Sequence, residues 1–162
     1  AGLTPAADAL SSLLGAWTMV VLGVRVLTFG PDPRYAAGFP TDVAHPAGCT
    51  RVAPTAPCRS RNPPPVFKGK SVERVQGLVR EWIKAQPRAT ILKDEPGYMH
   101  AQVLSLLMGF PDNLGVKVVE KGGGTDKGVE VWVQGELRVG EGDLGVNARR
   151  VKALLDHLEK AQ

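Results

Sequence analysis

Four polar side chains near the C-terminus have types and spacing that could hold an anion. They are Arg138, Asp143, Asn147 and Arg150, in the run Arg138-Val-Gly-Glu-Gly-Asp-Leu-Gly-Val-Asn147-Ala-Arg-Arg150. A glycine-punctuated turn carries them from the end of a strand-like segment to the start of an amphipathic helix. Backbone N–H groups at a helix start, with arginines beside them, suit a carboxylate or a phosphate. The same residue types also have a structural use. Asn147 serves as a helix N-cap, Asp143 holds the turn, and Arg138 pairs with Asp143. A cap and a turn account for these residue types without a ligand, so the four stand as candidate ligand-binding residues and no catalytic residue is assigned.

Other reactive groups are scattered. His45, His100 and His157 lie far apart, and the two cysteines sit in a Pro-rich stretch, so no nucleophile–base arrangement is visible. Cys49 and Cys58 are close enough in the chain to close a disulfide if their Cα atoms approach to about 5.5 Å. Two separate reduced thiols are the alternative. A zinc site from His45, Cys49 and Cys58 lacks an evident fourth ligand, and neither a metal nor a cofactor is expected. The run Lys121-Gly-Gly-Gly-Thr-Asp-Lys-Gly128 invites a phosphate-loop reading but lacks the Gly-Lys-Ser/Thr ending.

The C-terminal run resembles a family of unknown function catalogued as domain fourteen-ninety-nine. That family typically ends in a strand with an Arg-Ser-x-Ser-Arg pattern, then Val-Gly, an Asp, and Gly-Val-Asn-x-x-Arg before the last helix. Here Arg138-Val139-Gly140, Asp143, Gly145-Val146-Asn147 and Arg150 match it, and Gly109-Phe110-Pro111-Asp112-Asn113 resembles the family's Gly-Phe-x-Asp turn. The similarity spans roughly residues 40–162. Gln134 replaces the first arginine of the strand pattern, and Gly135 and Leu137 replace its two serines. If that polar row is a site in the family, this chain has lost half of it.

The elements that must position these residues fall into three parts. Residues 1–30 hold an apolar run, Leu10–Phe29, whose single charge is Arg25. About 20 residues at 1.5 Å rise cross a hydrocarbon core of about 30 Å, so residues 10–29 are expected to meet the lipid bilayer as one transmembrane helix. Arg25 lies near enough to its end to snorkel, and Gly15, Ala16 and Gly23 would admit a neighbouring helix. A buried core helix is the competing reading. Residues 31–66 hold most of the prolines and show no sustained periodicity, which predicts an extended tether. Residues 67–162 form the folded domain.

In that domain, Val72, Val75, Leu78, Val79, Trp82 and Ile83 have helical spacing behind a Ser71 N-cap. Strands are expected over 88–95, 98–109, 116–120 and 129–139, with a turn at Phe110–Asn113 and a bulge or bend at Gly115. A last helix starts near Asn147, with Val146 and Val151 as a hydrophobic staple and Val151, Leu154, Leu155 and Leu158 as its buried stripe. The expectation is a two-layer α+β fold, with two helices on one face of a roughly four-stranded, mainly antiparallel sheet.

The formal charge of +4 is concentrated in residues 41–70, which carry five basic side chains against Asp42, while residues 71–162 balance. A neutral folded part without a basic face argues against nucleic acid as a partner. Arginines after the apolar run, absent before it, favour a cytoplasmic, matrix or stromal domain; a cysteine bridge would favour an oxidising side. The chain begins at Ala1, which fits a processed protein or a trimmed one. These features together suggest a non-catalytic accessory subunit among the protein subunits of an organellar energy-transducing complex. A respiratory complex of the mitochondrial inner membrane comes first and the thylakoid membrane second. A membrane-anchored anion- or lipid-binding domain is the alternative.

Overall fold

The computed structural model describes residues 5–28, 30–55, 59–60, 63–106, 109–122 and 127–161, with backbone alone at 5, 6, 59 and 60. Helix α1 spans Pro5–Leu27. Its stretch Ala7–Leu27 has a mean hydropathy of 1.7 and is long enough to cross a membrane, yet no part of it is buried. Burial is what a soluble core helix would show, so α1 is a candidate membrane anchor; a signal sequence has the same length and apolarity.

The folded part is α+β, as expected, but its sheet is larger. Among the described residues it has seven strands: β1 Cys49–Val52, β2 Arg59–Ser60, β3 Val66–Lys68, β4 Ala89–Glu95, β5 Tyr98–Leu104, β6 Pro111–Lys121 and β7 Gly128–Leu137. The order across it is β2-β1-β7-β6-β5-β4, and β3 also pairs with β7. The long central hairpin β6–β7 pairs Asp112 with Leu137 through to Lys121 with Gly128. Pro111–Asn113 therefore belongs to a strand, not to the expected turn. The chain reverses earlier, where Ser105 Oγ accepts from Phe110 N (2.9 Å) and Gly109 adopts φ 61°. Residues 123–126, part of the Gly-rich run, lie outside the described residues.

Two strands, β1 and β2, and the first residue of β3 arise within residues 31–66, the stretch expected to be a tether. Helix α2 (Pro33–Ala37) and a turn at Pro46–Gly48 precede β1, which pairs antiparallel with β7 from Cys49–Glu136 to Val52–Val133. Farther along the same edge of β7, β3 pairs Phe67 with Val129. The prolines hide this because they interrupt the period-2 pattern while sitting between the strands rather than within them. Gly128 permits the close approach of β3: a Cβ there would lie 2.9 Å from the Phe67 carbonyl oxygen.

One face of the sheet is apolar. Met99, Ala101, Leu114, Val116, Val118, Val129, Val131 and Val133 project onto helices α3 (Val72–Ala85) and α4 (Val146–Lys160). Ser71 caps α3, accepting from Arg74 N at 3.2 Å, and the expected stripe Val75, Leu78, Val79, Trp82 and Ile83 is buried. Val151, Leu154 and Leu158 do the same for α4.

Candidate functional site

The turn before α4 is held by Asp143. Its Oδ1 accepts from Gly145 N (2.9 Å) and its Oδ2 from Asn147 N (2.6 Å), while Gly145 takes the left-handed conformation with φ 75°. Asn147 is therefore inside the first turn and not its cap, and the expected Val146–Val151 staple loses its basis. A carboxylate already occupies the N–H groups that an anion would use at this helix start.

Asn147 is instead a buried connector. Its Nδ2 donates to the Gly48 carbonyl (3.2 Å), and its Oδ1 accepts from Arg150 Nη1 (2.5 Å). The same Nη1 donates to Asp112 Oδ2 at 3.0 Å. Burial pushes the Asp112 carboxyl above its ordinary value, outweighing the pull of Arg150, and nearby Asp143 adds to the rise. Gly135, which stands where the family pattern has a serine, gives Asn147 its space: a Cβ there would lie 2.9 Å from Asn147 Oδ1.

Arg138 goes elsewhere. Its Nη1 donates to the carbonyls of Thr28 (2.9 Å) and Gly30 (2.8 Å), just past the end of α1, and not to Asp143. The structure thus brings Asn147 and Arg150 together, adds Asp112, keeps Asp143 on the flank and separates Arg138. Asp112 was visible only through its place in the Gly109–Asn113 run.

A second polar cluster, missed in the sequence, lies on the opposite face of the sheet. Cross-strand pairing aligns Arg51, Gln134, Gly115 and His100 in one row, and Glu136, Asn113 and Gln102 in the next. Residues 32–45 fold over them. Glu136, with no exposed surface, accepts from Arg34 Nη1 (3.3 and 3.2 Å), Tyr35 Oη (3.1 Å), Ala44 N (2.6 Å), His45 N (2.9 Å) and Gln134 Nε2 (3.1 Å). Asp32 accepts from Arg34 Nη2 (2.9 Å) and Asn113 Nδ2 (3.0 Å). Arg51 donates to Gln134 Oε1 and to the Pro40 carbonyl (2.7 Å), with Phe39 stacked beneath its guanidinium.

Tyr35 is the hub of this cover. Its ring stacks on His100 with centroids 4.9 Å apart, and its carbonyl accepts from Tyr98 Oη at 2.7 Å. Gly115 is neither bulge nor bend. It sits in regular register opposite His100, and its missing side chain makes room for Tyr35, whose Cε1 lies 3.0 Å from where a Cβ would be. His100 hydrogen-bonds Asn113 Oδ1 at 3.0 Å, and burial holds its pKa below the ordinary value. The one available signal was the alternation Glu130, Trp132, Gln134, Glu136, Arg138 opposite the buried valines, which reads equally well as a solvated face.

Almost all of these groups are satisfied internally, so the cluster acts as a lock for residues 32–45 and presents no open site. His157 is half-buried on α4, and its Nε2 is unpartnered among the described residues. No group of three His, Cys, Asp or Glu among the described residues could hold a metal ion. Cys49 is buried at the start of β1, and Cys58 lies outside the described residues. Strands β1 and β2 pair in parallel with Thr50 opposite Arg59, an offset of nine that equals the spacing of the two cysteines.

The chain belongs to the family described as Protein of unknown function (DUF1499), which matches residues 39–158. The match takes in the whole sheet, α3 and most of α4; it leaves out α1, α2 and the Asp32–Arg34–Tyr35 part of the lock. No curated protein matches the chain.

Proposed function

We propose that this chain is a non-catalytic accessory subunit of a membrane complex, anchored by α1. The observation that carries the reading is the bare apolar surface of α1, which the domain leaves unburied over the full Ala7–Leu27 stretch. An apolar helix of that length needs a bilayer or other helices around it. The polar residues of the domain support the same reading, since both clusters are spent on internal hydrogen bonds rather than on a concave, reactive site. An energy-transducing organelle membrane is the setting we infer, with a mitochondrial respiratory complex first and a thylakoid complex second.

Blue-native electrophoresis of detergent-solubilised membranes, with mass spectrometry of the band holding the chain, tests this. Migration within a large redox-active assembly is expected. Migration alone would overturn the subunit reading in favour of an anion- or lipid-binding domain. Thiol alkylation with and without reductant, read by mass, decides whether Cys49 and Cys58 are bridged and so which side the domain faces.

A further inference from the structure

We propose that Arg25, Arg88, Leu106, Leu144 and Arg149 form a docking surface that seats the domain on the leaflet entered by α1 and takes the phosphate of an anionic phospholipid between its arginines. This rests on the anchor reading of α1.

A groove of about 290 Å³ runs between α1 and the domain, with Trp17, Val21 and Arg25 on one wall and Arg88 and Leu106 on the other. Its position along the helix sets its depth. Trp17 and Leu22 lie ten and five residues before Leu27, or about 15 and 7 Å inside the end of the span at 1.5 Å per residue. The headgroup layer is about 5–8 Å thick on each side of the hydrocarbon. Trp17 is the midpoint of the Ala7–Leu27 span, so the groove opens near headgroup level at Arg25, two residues before Leu27, and reaches acyl-chain level at Trp17, with Leu106 on its wall. A space walled by a membrane span at that level is filled by lipid.

The exposed side chains agree with that placement. Leu106 is 74% exposed and Leu144 is 94% exposed, the latter in the left-handed conformation with φ 50°. Leu144 is joined to the same surface through Arg149, whose Nη1 donates to the Leu144 carbonyl at 3.1 Å. Arg149 lines a second groove together with Arg88 and Leu106, so the two grooves share a border. Exposed leucines flanked by arginines suit an interface in which apolar tips enter the acyl layer and guanidinium groups meet phosphate.

The charges are uncompensated here and nowhere offset by the lining. Arg34, Arg80 and Arg150 each pair with a carboxylate. Arg25 has no hydrogen-bond or ion-pair partner among the described residues and rests against Gly109, where a Cβ would lie 2.6 Å from its Nη2. Arg88 donates only to the Leu104 carbonyl, at 3.2 Å. Among the described residues no Asp or Glu lines either groove. Three guanidinium groups with no carboxylate partner among the described residues, beside an apolar cleft, describe the complement of an anionic phospholipid.

The test uses the full chain in nanodiscs of phosphatidylcholine, with and without one third phosphatidylglycerol. Leu106→Cys, Leu144→Cys and, at the far end of β6, Glu120→Cys carry a nitroxide label, with the parent chain labelled alongside as background. Relaxation by oxygen, which partitions into lipid, is compared with relaxation by a water-soluble nickel chelate. The expected oxygen-to-nickel ratio is several-fold higher at positions 106 and 144 than at 120, and falls when phosphatidylglycerol is removed or when Arg88→Ala and Arg149→Ala are combined. Equal ratios at the three positions, or indifference to both the anionic lipid and the arginines, would overturn the proposal. Carbonate extraction separates the failures: a chain that stays in the membrane pellet with a water-accessible position 106 sinks the docking surface alone, whereas a chain released by carbonate sinks the anchor reading with it.

Discussion

On the face covered by α3 and α4, Val116, Val131 and Val133 pack against Val79, Leu154 and Leu158; on the other, Asn113, Gln134 and Glu136 are equally buried beneath residues 32–45 but each holds a specific polar partner. The two faces differ in what they demand of whatever covers them. Apolar packing accepts any element of suitable shape and volume, at a modest loss when the fit is imperfect. A buried carboxylate accepts only a cover that presents cations and N–H donors at set places, because a missing partner leaves a desolvated charge. The apolar face thus supplies stability, and the polar face selects the conformation of the segment that leads to α1.

The largest test of that contrast is Glu136→Ala. It strips Arg34, Tyr35, Ala44 and His45 of their common acceptor, and a loss of about 3–5 kcal/mol is expected from breaking a buried pair. Leu154→Ala on the apolar face should cost a similar about 2–5 kcal/mol. Denaturant unfolding measures both, and limited proteolysis separates them: Glu136→Ala should expose residues 38–45 to cleavage while the sheet stays folded, and Leu154→Ala should not. A Glu136→Ala cost below about 1 kcal/mol would mean that the polar face is no lock.

Two glycines sharpen the same comparison. Gly115→Ala would push a Cβ to 3.0 Å from the Tyr35 ring, and over-packing there should cost about 1–3 kcal/mol. Gly77→Ala, on α3 with open space around it, should instead stabilise by about 0.5–1 kcal/mol through helix propensity. Thermal melts of the two variants should therefore shift in opposite directions.

Acid should loosen the polar face first. Burial holds His100 below its ordinary value, so the unfolded chain takes up this proton before the folded one, and stability declines as pH falls below 6.5. Burial works to raise the Asp32 carboxyl, but the Arg34 hydrogen bonds and charge, with Arg138, bring it below its ordinary 3.8. That contribution is fully present above the unfolded value and is lost as pH falls through the folded one. Melting midpoints should fall in two stages, and His100→Gln should remove only the upper one.

The smallest effect is expected from Arg80→Ala. The Arg80–Asp94 pair is solvent-exposed although its contacts are 2.6 and 2.9 Å, and the hydrogen bond from Arg80 lowers the Asp94 pKa. Water and salt screen such pairs, so about 0.2–1 kcal/mol should be lost, less at high salt. A larger loss would place an electrostatic lock on the helix side as well.

The apolar face was legible because its signals are local. Val75 to Ile83 and Val151 to Leu158 repeat at helical spacing, and Val129, Val131 and Val133 alternate within one strand. The cover was not, because its partners are remote: Arg34 meets Glu136 across 102 positions and Arg51 meets Gln134 across 83. Pro-rich spacing between β1, β2 and β3 hid three strands, and nothing in Gly115 announced the Tyr35 ring above it. At the helix start the residue types were right but the division of labour was not. Asp143 took the cap that Asn147 was expected to provide, and Arg138 served the end of α1 instead of the turn.

That last contact limits how the domain can swing. Five residues separate Leu27 from Pro33, a leash of at most about 17 Å if fully extended, and Arg138 grips it at two carbonyls. Once α1 is in a bilayer, the domain keeps one side down and holds its surfaces at a set height. On the subunit reading proposed above, a partner in the same membrane would meet it by lateral diffusion in two dimensions, with most of the orientational search already done.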